Sequence, residues 1–346
     1  MNASVPGASA QGNRQVAAGQ AIDTRRLNGS LRRPMSLRSP PPDTPAAAVG
    51  ELVTLRDFLR YATSRFNEAG LAFGHGTANA LDEAAFLILE ALHLPIDKLD
   101  PFLEARLTAG ERQRLAALID ARIATRKPAA YLLGRAYIGG VPFHVDERVI
   151  VPRSYIGELM RNGVLCGDPG GLVDDIARVA DVLDLCTGSG CLALLAAALF
   201  PKARIDAVDL SAAALEVAAR NVAESAHHPR IRLLQGDLFA PIGQRRYDLI
   251  LANPPYVDAE AMAALAPEYR HEPALALAGG ADGLDVVRRI LAEAPGHLMP
   301  AGGLLCEIGA GRERLEDQYP RHPFLWLDTE LSSGEVFWLA TDAFPH

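Results

Sequence analysis

No apolar run in the chain approaches the ~20 residues that a membrane-spanning helix needs. The longest, Cys191 to Phe200, is a helix-length segment rich in alanine, so no membrane partner is expected. Cysteine is scarce. Cys166, Cys186, Cys191 and Cys306 lack metal-ligand spacing, so no metal site is expected. They read as reduced, mostly buried thiols of a cytoplasmic protein. Residues 1–50 have few large apolar side chains and no apolar signal-peptide core. Rich in Ala, Gly, Ser, Pro and Arg, they cannot bury enough surface to order themselves, and a disordered tail is expected. The same Arg-rich, acid-poor composition also fits a transit peptide. Neither an internal repeat nor a base-reading module is present.

What remains is ample. A length of 346 residues permits two domains, and 49% hydrophobic with 22% charged residues is ordinary for a globular protein. Charge is uneven. Six Arg stand against Asp23 and Asp43 in residues 1–50, a net of +4, so the rest carries −12 of a total of −8. An acidic body argues against a nucleic-acid groove as the main surface and suits a basic protein partner, although a local basic patch can hide within it.

Residues 51–130 read as helical. Leu55, Phe58, Leu59, Ala62 and Phe66 recur at helical spacing after a capping Thr54, and Gly70 ends the pattern. A second helix carries Leu81, Ala85, Ile88, Leu89 and Leu92. A third opens on the capping-box pair Thr108 and Glu111 and runs through Leu115, Leu118, Ile119 and Ile123. His75 and His93 read as structural or surface groups. Residues 131–151, with Gly139-Gly140 and Asp146-Glu147 as turns, suggest a hairpin linker. From residue 152 to 346 strands alternate with helices. Strands are expected near 180–186, 204–209, 231–235, 247–252, 303–308, 324–328 and 335–340, and helices near 190–200, 211–225 and 284–298. The fold class is α/β, a mostly parallel sheet covered on both faces. Gly163 to Arg178 reads as a loop.

Two turns carry chemistry. The strand Val182-Leu183-Asp184-Leu185-Cys186 runs into Thr187-Gly188-Ser189-Gly190 and then a helix. Small residues let a ligand approach the backbone, and the helix start presents free N–H groups. The third glycine of a dinucleotide fingerprint is missing, and an ordinary tight connection is the alternative. Asp209 ends the next strand, 19 residues after Gly190, where a carboxylate can accept both ribose hydroxyls of an adenosine group; the alternative is a helix cap. Asp237 can meet the adenine amine with Leu238 against the ring, or be a plain turn residue. Asn253-Pro254-Pro255-Tyr256 follows the strand Tyr247 to Ala252. An amide nitrogen is a poor nucleophile, and the Asn253 side-chain oxygen with the Pro254 carbonyl can hold its two hydrogens. The paired prolines stiffen the turn, and Tyr256 can cover a planar acceptor and favour a nearby sulfonium. S-adenosylmethionine (AdoMet) fits this pair of turns better than a nicotinamide cofactor.

These residues resemble the AdoMet-dependent glutamine N5-methyltransferases of the HemK type over roughly residues 52–340. Pro128-Ala129-Ala130-Tyr131, Phe143-His144-Val145, Val151-Pro152-Arg153, Glu272-Pro273, Gly279-Gly280, Asp282-Gly283-Leu284 and Glu307-Ile308-Gly309 extend the match. The resemblance implies a helical substrate-recognition domain, a hairpin linker and a Rossmann-like seven-stranded methyltransferase domain. It implies AdoMet contacts from Thr187, Gly188, Ser189, Gly190, Asp209 and Asn253, and a glutamine held by Asn253, Pro254, Pro255 and Tyr256. Cys186 stands where many members have glycine, so a contact there must use backbone. Arg153-Ser154-Tyr155 replaces the Pro-Arg-Pro-x-Thr-Glu form of the release-factor branch. With Glu268-Tyr269-Arg270-His271-Glu272-Pro273, these features look like the branch that modifies ribosomal protein L-three, free or in an assembly intermediate, with nucleic acid met only through the particle. Arg153 and Glu158 are expected to brace the site. Release-factor methylation, adenine-amine methylation and a non-catalytic AdoMet-binding assembly factor are the alternatives.

Overall fold

The computed structural model describes residues 50–165, 171–173, 175–329 and 332–345. Residues 1–49 of the expected tail and Cys166 lie outside these residues. Helix α1 (Leu55–Glu68) starts on a capping box in which Thr54 and Asp57 exchange side-chain and backbone hydrogen bonds. Helix α2 (Ala80–Ala91) is capped by Asn79, and α3 (Ala109–Thr125) by the Thr108–Glu111 box. The short α4 (Ala129–Leu133) follows Pro128. The expected inward face of α2 needs one correction: Leu81 is 51% exposed. The Asn79 cap sets a register that turns Ala80, Ala84, Leu87, Ile88 and Ala91 inward, an i, i+4, i+7, i+8, i+11 stripe. A polar exception is Arg122 of α3. It is fully buried, pairs with Glu83 of α2 and donates to the Ala72 carbonyl at 3.0 Å.

Strands β1 (Arg135–Ile138) and β2 (Val141–His144) form the expected hairpin. Gly139 and Gly140, at φ 57° and 81°, make the two-residue turn that such a hairpin requires. Helix α5 (Tyr155–Arg161), which the sequence pattern did not signal, follows, capped by Ser154. The described part of 163–178 is irregular, as expected.

The α/β part runs β3 (Asp181–Leu185), α6 (Cys191–Leu199), β4 (Arg204–Asp209), α7 (Ala212–Ala223), β5 (Ile231–Gln235), β6 (Tyr247–Ala252), α8 (Ala259–Ala264), α9 (Asp285–His297), β7 (Leu298–Glu307), α10 (Arg312–Gln318), β8 (Leu325–Leu327) and β9 (Val336–Ala340). One seven-stranded sheet has the order β5-β4-β3-β6-β7-β9-β8. Its first five strands are parallel, and β9 is antiparallel to β7 and β8. Alternate side chains serve opposite faces. Val182, Ile205, Leu249 and Leu251 pack with α5 and α6, while Leu183, Val208 and Ile250 pack with α9 and Leu315 of α10. Strand order reverses between β3 and β6, so the turns after β3, β4 and β6 open at one rim, where doubly wound sheets bind ligands. No helix among the described residues is long and apolar enough to cross a membrane.

Candidate active site

The glycine turn is held from three sides. Asp184, fully buried on β3, accepts from Thr187 Oγ1 at 2.5 Å and from the Ala193 amide at 3.0 Å. Burial raises its carboxyl to about 7, and its other oxygen has no partner. Asp209, at the end of β4, accepts from the Gly188 amide through one oxygen and the Ser211 amide through the other, both at 2.8 Å. Asn221 of α7 donates to the Ser189 carbonyl at 2.8 Å and exchanges hydrogen bonds with the His144 backbone, tying the hairpin to the turn. Cys186 adopts φ 59°, a left-handed conformation that favours glycine. Burial pushes its thiol pKa up.

Above the turn lies a cavity whose wall includes Gly188, Asp209, Asp237, Leu238, Asn253 and Pro255. Val149, Val208, Leu210 and Ala214 give it apolar sides. Gly188, at φ 56°, leaves open space where a side chain would stand. The cap of α7 is Ser211, which accepts from the Ala214 amide, so Asp209 is free of that duty. Burial holds the Asp209 carboxyl above the usual aspartate value, against the pull of its backbone donors. Asp237 is half-exposed and paired with Arg289 at 2.8 Å. Thr187, Ser189 and Gly190 lie off the cavity wall: Thr187 and Ser189 are buried, and Gly190 packs against Ala218 of α7. They shape the turn from below.

A second cavity adjoins the first and is lined by Arg153, Asn253, Pro254, Tyr256 and Tyr269, among others. Asn253 lines both. No described residue hydrogen-bonds its carboxamide or the Pro254 carbonyl, so both groups are unclaimed beside the second cavity, and Asn253 beside the first as well. The turn itself is fixed. The Val257 amide donates to the Leu277 carbonyl and the Gly279 amide to the Val257 carbonyl, both at 2.8 Å, and a Cβ on Gly279 would strike the Pro255 and Tyr256 backbone at about 2.8 Å. The Tyr256 ring lies against Gly309, and its hydroxyl donates to Glu307 at 3.2 Å.

Sequence reasoning gave no role to Glu307, which is buried at the end of β7. It accepts from Ser154 Oγ at 2.6 Å and the Tyr155 amide at 3.0 Å, and burial raises its carboxyl to about 7. The signal was available: a carboxylate ends the apolar run Leu304-Leu305-Cys306, at the rim that carries Asp209 and Asn253. Arg153 grips Glu272 with both guanidinium nitrogens, at 2.5 and 2.7 Å, and Glu272 also accepts from the Val151 amide. That is the bracing expected of Arg153. His75 is buried 3.7 Å from Glu272 and against Tyr269, and burial lowers it to about 4, so it is a neutral structural histidine near neutral pH. Buried Glu268 accepts from the Ala72 amide at 3.0 Å and pairs with Arg126 at 2.7 Å, joining the segment after the Asn-Pro-Pro-Tyr turn to α3.

A mostly parallel sheet with a glycine turn, an acidic strand end and an Asn-Pro-Pro-Tyr turn at one rim is a methyltransferase architecture, and residues 172–269 match the methyltransferase small domain family. Among curated proteins, the ribosomal protein uL3 glutamine methyltransferase of Bradyrhizobium diazoefficiens is 62% identical over 84% of this chain and 92% of its own length. The proteins of that name from Bordetella pertussis and Burkholderia pseudomallei are 55% and 52% identical, over 84% of this chain and 96% of theirs. The chain belongs to the ribosomal protein uL3 glutamine methyltransferase family.

Proposed function

We propose that this chain transfers a methyl group from AdoMet to the side-chain nitrogen of a glutamine in ribosomal protein uL3, in the cytoplasm. The observation that carries the reading is Asn253. Its unpartnered carboxamide stands in the wall common to the Gly188–Asp209 cavity and the Pro254–Tyr256 cavity. The first cavity suits AdoMet: Asp209 retains lone pairs for ribose hydroxyls, Gly188 leaves room for close approach, and Leu238 with Leu210 offers an apolar slot. Bound there, AdoMet supplies an electrophilic methyl group on a sulfonium.

The residues of the second cavity prepare the acceptor. Asn253 Oδ1 and the Pro254 carbonyl accept the two amide hydrogens, which fixes the nitrogen so that the lone pair that develops as the methyl group approaches faces that group. Tyr256, held by Glu307, covers the planar group. Burial beside Glu307 keeps its phenol protonated, so it serves as a wall rather than a base. No strong base is required, because the proton leaves after the nitrogen has gained its methyl group. We further propose residues 51–130 as the substrate-recognition domain and 131–151 as its linker, a division supported by the Arg126–Glu268 pair that couples α3 to the acceptor loop.

Labelled AdoMet, purified uL3 and release factors, followed by peptide mass spectrometry, test the reading. Label on a single uL3 glutamine is expected. Label confined to a release factor, or to nucleic acid, overturns the substrate.

A further inference from the structure

At the rim opposite the active site, the amino ends of β3 to β6 form a concavity lined by Arg204, Arg230, Arg232, Arg245 and Arg246. Only two carboxylates line it, Asp181 and Asp206. Arg204 is paired with Asp181 at 3.0 Å. Buried Asp206 accepts from Arg232 at 2.9 and 2.7 Å, from Arg245 at 3.0 Å and from Tyr247 at 2.8 Å. One carboxylate thus orients two guanidiniums while most of their N–H groups remain unspent. Arg230 and Arg246 donate to backbone carbonyls, which leaves their charges uncompensated within the concavity. Five cations against two anions make a local excess of +3 on a body of −12.

We infer that this concavity binds the phosphate backbone of RNA directly, so that the enzyme holds its substrate protein within an RNA-containing assembly particle. This rests on the proposed uL3 substrate and goes beyond it, because the sequence implied nucleic acid only through the particle. Guanidinium forks fixed by a buried carboxylate match phosphate oxygens in geometry and lose little freedom on binding. The rest of residues 51–346 is acidic and repels a polyanion, which within that body favours this rim. A strand of six residues spans about 20 Å, so RNA here leaves the catalytic rim clear for the glutamine.

The test measures binding of a fluorescent RNA hairpin to the full chain across about 50 to 200 mM salt. Arg232→Ala/Arg245→Ala is expected to weaken binding about 30-fold near 100 mM salt and to flatten the log–log salt slope by roughly 1.5. Arg232→Lys/Arg245→Lys should restore most of the affinity, and Arg220→Ala, on exposed α7 surface, should match wild type. Methylation of free uL3 is expected to stay unchanged in the double alanine variant, while KM for RNA-bound uL3 rises at constant kcat. If the double variant melts early, Arg246→Ala, whose side chain is exposed, replaces it, with weaker RNA binding again expected. Equal RNA affinity in wild type and variants, or binding of an acidic peptide but not RNA, overturns the inference. Failure of wild type to methylate free uL3 instead overturns the substrate reading and leaves the binding result to stand by itself.

Discussion

Asp209→Ala removes an acceptor that serves the fold and the cofactor cavity at once, and the two losses have separate readouts. In the fold, the Gly188 and Ser211 amides lose charge-assisted bonds of 2.8 Å. A hydrogen bond to a charged group contributes about 1.5–3 kcal/mol, but water from the cavity can replace these, and removing a buried charge returns its desolvation cost. A net loss of about 1–2 kcal/mol follows, a fall in Tm of several degrees. In the cavity, two ribose hydroxyls lose their paired acceptor. At about 1.5 kcal/mol each, AdoMet affinity should drop roughly 100-fold. Burial raises the Asp209 pKa above 3.8, so its ionisation costs stability as pH climbs from 3.8 through the folded value. AdoMet binding runs the other way and weakens as pH falls through that same raised value. Isothermal titration across pH, paired with thermal melts, reads both. A lowered Tm with AdoMet affinity within about threefold of wild type refutes the ribose role and leaves Asp209 a brace for the turn.

Asn253→Ala should lower single-turnover methyl transfer by about 100-fold or more, since one acceptor for the amide hydrogens is gone; near-normal turnover sinks the mechanism. Tyr256→Phe and Glu307→Gln should each lower kcat about tenfold, and the double variant no further than either single, because both act through one 3.2 Å hydrogen bond. Glu307 rises from 4.5 to about 7, so its ionisation erodes stability as pH climbs through that window, and Glu307→Gln should flatten that part of the Tm–pH curve. Cys186→Gly should change stability by no more than about 1 kcal/mol, whereas Cys186→Val, β-branched at φ 59°, should lose more than about 2 kcal/mol by denaturant titration. Deleting residues 1–50 should leave Tm and turnover unaltered; loss of either would show that this segment packs or recruits substrate.

The seven strands of the main sheet were legible because each holds a short apolar run ended by a turn or an acidic residue, although β7 starts at Leu298 rather than near 303. The Thr108–Glu111 capping box was readable letter by letter, whereas Thr54 was read only as a cap and its partner Asp57 was not. The short helices α4, α5, α8 and α10 were not. Each spans at most two turns, too few for a 3.6-residue period to emerge. Leu81 misled for another reason: an apolar residue at a helix start fits either of two registers, and the Asn79 cap chose the one that exposes it. Of the residues expected at the candidate site, Gly188, Asp209, Asp237, Leu238 and Asn253 do line one cavity, and they were legible because each lies at or just past the end of a parallel strand. The braces were hidden. Asn221, Arg122 and Glu268 are polar residues whose partners lie far away in sequence, and no local pattern announces a long-range hydrogen bond.

Ser154 joins these two kinds of information. In sequence it is a departure from the Pro-Arg-Pro linker of the release-factor branch. In the structure its hydroxyl accepts from the Ile156 amide to start α5 and donates to Glu307 at 2.6 Å. A proline at this position has no side-chain donor to offer. Glu307 in turn holds the Tyr256 hydroxyl, so a difference that looks confined to the linker reaches the wall of the second cavity through two hydrogen bonds. Buried carboxylates are sensitive to the loss of one donor, because the remaining charge has no water to turn to. Ser154 is therefore one hydrogen bond from Glu307 and two from the Tyr256 hydroxyl of the second cavity.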